Sequence, residues 1–210
     1  MTRSHARIVG DRPIVCQIQI GMLCFPVRII AGTAKGRPVK MPQCTVTRPA
    51  TDLVRSAVFS MLESMGPDWS RALDLFAGSG AVGLEALSRG TGWVDFVDQD
   101  RRCCATIKEN VATMGFASRV RIYCSKLSKV LSLLEGKYGL VFLDPPYADD
   151  SLPSTLAQLA ESTLVERDSI IVALHSARRS LADSYGRLNR LKERRHGDTI
   201  ISLYTEEAVP

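Results

Sequence analysis

Apolar positions along this chain fall into two rhythms, and the change between them marks its plan. Val54, Ala57, Val58, Met61, Leu62 and Met65 recur at three- and four-residue steps. That spacing predicts an amphipathic helix, with Thr51 or Asp52 to cap it and Gly66-Pro67 to end it. From Arg71 the pattern becomes strand, turn, helix, repeated. Short apolar runs predict strands at Ala72–Phe76, Val94–Val97, Val120–Tyr123, Leu140–Leu143 and Ile170–Leu174. Helical spacing predicts Gly80–Arg89, Arg101–Met114, Leu127–Leu134 and Pro153–Leu164. Such alternation specifies an α/β fold with a mostly parallel, doubly wound sheet whose ligands bind at the strands' C-terminal ends. The tail departs from it. Leu188–Arg194 and Thr199–Tyr204 flank His196-Gly197-Asp198, which predicts a hairpin adding an antiparallel strand. Near the other end, Arg28–Ala31 and Arg37–Met41 flank a glycine-bounded loop with Lys35 at its tip, a second hairpin. Three regions follow: 1–26, an extension without periodicity; 27–66, hairpin plus helix; and 67–210, the alternating domain. Met22 lies just before the first convincing element and is a candidate internal start.

Composition narrows the class. An apolar fraction of 45% over 210 residues suffices for a full core without disulfides. The six cysteines form no C-x-x-C pair and the three histidines do not cluster, so no metal site is expected and the thiols read as reduced, in a cytoplasmic protein. No run reaches the roughly 18 apolar residues of a membrane span. The stretch 14–25 imitates a signal peptide, but Gln17 and Gln19 interrupt it and no small-residue cleavage site follows. Net charge is +5, unevenly placed: before residue 56 stand nine basic residues against Asp11 and Asp52. A basic N-terminal third suggests a polyanion partner, though a solvated basic face would look the same.

Two stretches carry candidate chemistry. The run Leu140–Leu143 ends in Asp144-Pro145-Pro146-Tyr147. A carboxylate at a strand's end, followed by residues that cannot donate, leaves acceptors free beside an aromatic ring. Asp144 and the Pro145 carbonyl can each accept one hydrogen of an amine while Tyr147 stacks on the ring that bears it. A tight turn capping a strand remains the plainer alternative. The second stretch is Asp74-Leu75-Phe76-Ala77-Gly78-Ser79-Gly80-Ala81-Val82-Gly83, from strand into helix. Its glycine spacing matches the dinucleotide fingerprint, and Asp98 stands where ribose hydroxyls would be held. Asp74 argues against a pyrophosphate, which it would repel, and for a cationic cofactor such as S-adenosylmethionine.

Taken together, these residues resemble the RsmD family of bacterial 16S rRNA guanine-N2 methyltransferases. The likeness extends to Arg28-Ile29-Ile30-Ala31-Gly32, Lys35-Gly36-Arg37, Thr47-Arg48-Pro49, Leu73–Gly90 and Arg194-Arg195-x-Gly197-Asp198-Thr199, covering about Val27 to Thr205. It implies a Rossmann-like class I methyltransferase using S-adenosylmethionine without a metal. The partner would be 16S rRNA, naked or within a 30S particle, and the protein a monomer. Asp74, Phe76, Ala77, Gly78, Gly80 and Asp98 would hold the cofactor. Asp144, Pro145, Pro146 and Tyr147 would hold the base. Arg28, Lys35, Arg37, Arg48, Arg55, Arg194 and Arg195 would meet RNA. Two departures stand out. Cys124-Ser125-Lys126 replaces the family's usual acidic contact to the adenine amine, leaving Ser125 or backbone groups to serve. Leu53 stands where a basic residue is common. DNA adenine-N6 methylation, which shares D-P-P-Y, and RNA binding without catalysis are the competing readings.

Overall fold

The computed structural model describes residues 27–42, 51–146 and 149–206. Its centre is an eight-stranded sheet in the order β3-β2-β1-β4-β5-β8-β7-β6. The strands are β1 (Arg71–Leu75), β2 (Trp93–Asp98), β3 (Val120–Cys124), β4 (Leu140–Leu143), β5 (Ile170–Ser176), β6 (Ser184–Tyr185), β7 (Leu188–His196) and β8 (Thr199–Thr205). The first five are mutually parallel, and β8 pairs antiparallel with β5. The order reverses between β1 and β4, which places the switch point, and the expected ligand crevice, over their C-terminal ends.

The elements form for legible reasons. Helix α1 (Asp52–Met65) starts where the Thr51 hydroxyl accepts the Val54 N–H and stops where Gly66 takes φ 63°. Helices α2 (Ala81–Ser88) and α3 (Arg101–Met114) follow β1 and β2, and Asp100 caps α3 by accepting the Arg102 N–H. On the other face lie the short α4 (Leu127–Val130) and α5 (Leu152–Glu161). Alternation along each strand divides the core in two. Ala72, Phe96, Leu140 and Phe142 pack towards α1–α3, whereas Leu73, Val97, Val141 and Leu143 pack towards α4 and α5.

Several expectations change. The helix over 127–134 is only four residues long; no side chain caps it, and the chain then turns tightly, burying Leu134 and leaving Leu133 exposed. The N-terminal hairpin has one bridge, Arg28 to Pro38, because Pro38 has no N–H to extend a ladder. The tail adds three strands to the sheet, with a bulge at Arg190/Lys192 in β7. Nor is 27–66 separate: Ile29, Val39, Val58 and Phe59 share one core with Leu84, Phe96 and Phe142. The extension 1–26 lies outside the described residues, and no helix within them is long and apolar enough to cross a membrane.

Candidate active site

Period-two alternation assembles the site before any loop is considered. Asp74 pairs in register with Phe96 of β2 and Phe142 of β4, and all three face α1–α3. Asp98 lies two residues beyond Phe96, and Asp144 two beyond Phe142, so both project to that same face. Three carboxylates thus crowd one side of the sheet's C-terminal edge, with Asp74 one step deeper.

The loop after β1 is shaped around two of them. Ala77 N–H bonds to Val97 O at 3.0 Å, Gly80 N–H turns back to Ala77 O at 2.7 Å, and Gly78 N–H reaches Asp98 Oδ2 at 2.8 Å. Phe76 takes φ 61°, a left-handed conformation costing a non-glycine residue about 1–3 kcal/mol, strain of the kind that marks candidate functional loops. At Gly83 a Cβ would lie 2.3 Å from the Phe96 ring, so only glycine brings α2 this close to the sheet. The Gly83 N–H donates to Asp74 Oδ2 at 2.9 Å. Asp74 is buried, and that burial pushes its pKa up to about 8, opposed by the Gly83 bond and reinforced by the charges of Asp144 and Asp98. Asp98 is also raised, chiefly by burial, against the N–H groups of Asp100 and Gly78. Ser125 N–H bonds to Asp98 O at 3.0 Å, bringing Ser125 beside Asp98.

Asp144 closes β4, half-buried, with Pro145 buried and Pro146 exposed; Tyr147 lies outside the described residues. On one side Asp144 lines a narrow apolar crevice with Arg55, Phe59, Val82 and Phe142. On the other, Pro145 and Pro146 wall a cleft of about 210 Å³ shared with His175, Ser176 and Arg179. Arg179 Nη1 donates to Asp149 O, and its Nη2 pairs with Asp150, so it bridges the end of β5 to the segment after the proline pair.

The basic residues separate into three places. Lys35 and Arg37 are exposed, but their turn is held against Ser88 (Thr33 N–H to Ser88 O, 2.8 Å) and Thr113 (Arg37 Nη1 to O, 2.9 Å). Those residues end α2 and α3, at the sheet edge opposite Asp144. The eight residues of α2 put the turn roughly 12 Å from the cofactor loop. Arg194 and Arg195 stand exposed at the C-terminal end of β7, and Arg178 and Arg179, not among the residues expected from the sequence, lie beyond β5 on that edge. The adjacent arginine pair straight after a strand was the available signal. Arg28 is exposed with Nη1 on Gly36 O at 3.0 Å, and Arg48 lies outside the described residues. Arg55 must be corrected. Expected on RNA phosphates, it is 1% exposed, because helical geometry sets it three residues from Val58 and seven from Leu62, on the face that packs inward. Among the described residues no group of three or more His, Cys, Asp or Glu side chains is arranged to hold a metal ion.

Comparison with known proteins agrees with this architecture. A family model described as conserved hypothetical protein 95 matches residues 27–205. YlbH of Bacillus subtilis is 37% identical over 183 residues, spanning 85% of this chain and 98% of its own. Ribosomal RNA small subunit methyltransferase D of Escherichia coli is 31% identical over 182 residues, spanning 87% and 91%. The solved structure of yhhF from Escherichia coli superposes with a TM-score of 0.76 at 30% identity, over 88% of this chain and 99% of that one. An RNA methyltransferase from Salinibacter ruber, solved with S-adenosyl-L-homocysteine, shares the fold at 18% identity, 78% and 97% coverage and a TM-score of 0.55. With the family model covering 27–205 and both relatives spanned almost end to end, the chain belongs to the RsmD family of rRNA methyltransferases.

Proposed function

We propose that this protein transfers a methyl group from S-adenosylmethionine to the exocyclic N2 amine of a guanine in 16S rRNA. The observation that carries the reading is the convergence of Asp74, Asp98 and Asp144 on one face of the sheet edge, beside a loop stripped of side-chain bulk. That donor set suits a cationic cofactor with hydroxyls and disfavours a pyrophosphate. The cofactor, when bound, supplies a methyl already activated on a sulfonium. Asp98 lies where it can accept ribose hydroxyls: its oxygens take the Gly78 and Asp100 N–H groups and the Cys103 thiol, and a carboxylate has acceptor capacity beyond these three.

The chain's remaining task is orientation. Asp144 carboxylate and Pro145 carbonyl accept the two amine hydrogens, which turns the nitrogen lone pair out of the guanine ring system and towards the methyl. Asp144 would take the one proton that the amine nitrogen sheds on gaining the methyl, with the cofactor left as its neutral thioether. A stacked base cannot reach this edge, so the guanine comes from a loop or is flipped, with the cleft beyond Pro146 receiving the strand. Arg178, Arg179, Arg194 and Arg195 rim that edge and serve the nearby phosphates; Lys35 and Arg37 meet RNA farther away.

Incubation with labelled S-adenosylmethionine, using naked 16S rRNA and 30S particles in parallel, tests the proposal. Digestion to nucleosides should show N2-methylguanosine from at least one substrate. N6-methyladenosine would assign the amine to adenine instead, and absence of transfer to either would leave only a binding role.

A further inference from the structure

Arg55 is the least explained charge in the molecule. It is 1% exposed, yet its Nε and Nη1 find no hydrogen-bond partner among the described residues. Only Nη2 is engaged, donating to Arg28 O at 2.5 Å and Asp52 Oδ1 at 2.8 Å. Orphaned guanidinium donors cost more than the bonds that remain return, so a residue kept for stability alone would be better replaced by an apolar one. The neighbours suggest another reason. Arg55 lines the crevice that Asp144 also lines, between α1 and the ends of β4 and β5. Burial pushes its pKa down, while the charges of Asp52, Glu85 and Asp144 push it back up.

The far end of the same network is the N-terminal hairpin. Arg55 holds its Arg28 carbonyl, and Glu85 of α2, wholly buried, accepts two successive backbone N–H groups, Ile30 at 2.7 Å and Ala31 at 3.0 Å. Glu85 is itself paired with Arg89 at 2.8 Å. The hairpin is therefore clamped between a cation beside Asp144 and an anion on the helix that begins at the cofactor loop.

We infer that Arg55 is a positioning residue, which fixes the Asp144 end of β4 against the clamped hairpin and so sets the amine acceptor for transfer. The inference rests on the proposed catalytic role of Asp144. Its effect should appear in the chemical step and leave binding alone.

A double-mutant cycle separates the two ideas. Arg55→Lys keeps the charge with fewer donors, and Arg55→Met removes it at similar volume. Single-turnover rates, RNA affinity and S-adenosylhomocysteine affinity would be measured for each, alone and combined with Asp144→Ala. Expected is a rate loss of about tenfold or more for Arg55→Met and less for Arg55→Lys, with both affinities within about twofold of wild type. In the Asp144→Ala background the Arg55 effect should vanish. Losses that simply multiply would mean that Arg55 acts elsewhere and would overturn the inference. So would weakened RNA binding at an unchanged rate, the signature of a phosphate contact, or a lowered melting temperature at full rate, the signature of a merely structural residue. Should Arg55→Met fail to fold, Arg55→Lys completes the same cycle. A wild-type rate in Asp144→Ala itself would remove Asp144 from catalysis, and Arg55 with it.

Discussion

The two faces of the sheet each bury a cluster of charge, and they solve the problem differently. Towards α4 and α5, Asp95 is fully buried, but both its oxygens are engaged. Oδ2 accepts the Tyr138 hydroxyl and Arg71 Nη2, each at 2.6 Å, and Oδ1 accepts Trp93 Nε1 at 2.9 Å. Arg71 also lies 4.7 Å over the Tyr138 ring. One negative charge meets one positive charge and two neutral donors. Towards α1–α3, three carboxylates share an edge with one buried arginine whose donors are mostly idle. A buried charge compensated in place is architecture. Among the described side chains the second set carries three carboxylates to one arginine, an imbalance that, under the proposed function, a cationic cofactor and an amine would redress.

The largest effect expected from this contrast is on stability. Asp95→Ala strips the carboxylate from Arg71 and leaves the Tyr138 hydroxyl proton without an acceptor inside the core. The loss should be about 3–5 kcal/mol in urea denaturation, with the rate per folded molecule nearly unchanged. Loss of catalysis at full stability would mean that the clusters are not separate in role. Asp144→Ala should do the opposite, lowering the rate of transfer about 10²–10³-fold with little change in the melting temperature. Asp144→Asn keeps an acceptor oxygen and should retain much more activity. Equal, complete loss in both variants would show that the negative charge, as proton acceptor, is what matters.

Much of this contrast was legible in the sequence, and the reasons are local. The apolar run to Asp144, the glycine spacing after Asp74 and the stripe of α1 are short-range patterns that the fold has little freedom to override. The common face of the three aspartates was also within reach, since register and alternation fix it once the strands are placed. Other features depend on distant partners. Nothing in Arg28-Ile29-Ile30 announces that its backbone will meet Glu85, nor that Ser88 will hold the turn after it; a Cβ at Gly32 would lie 1.8 Å from Ser88 O. The placement of Lys35 away from Asp144 follows from that docking. The third strand of the tail is not legible because Ser184–Tyr185 is too short to carry a pattern. Arg55 departs from expectation because charge predicts exposure on average, whereas its place beside the apolar stripe of α1 turns it inward.

The most gradual effect, and the most direct reading of imbalance, concerns Asp74 and pH. Its pKa of about 8 stands well above the value near 3.9 that an unfolded aspartate takes. Between those values the folded protein keeps a proton that the unfolded chain has lost. Stability associated with this group is therefore fully present below about pH 4, falls as pH rises through the window and levels off above about pH 8. The raised Asp98 contributes a slope of the same sign from the same edge. Asp74→Asn cannot ionise, while its amide oxygen can still accept the Gly83 N–H, so the variant should lose the Asp74 share of that slope and keep the rest. Unfolding free energies at pH 5, 6.5 and 8 should diverge, the wild type weakening relative to the variant by at most about 1.4 kcal/mol per pH unit. Adding a cationic cofactor analogue should favour the ionised carboxylate and draw the wild-type curve back towards the variant's at pH 8. Parallel curves without ligand would mean that Asp74 is already charged in the free protein, and the imbalance would then reside in Asp98 and Asp144 alone.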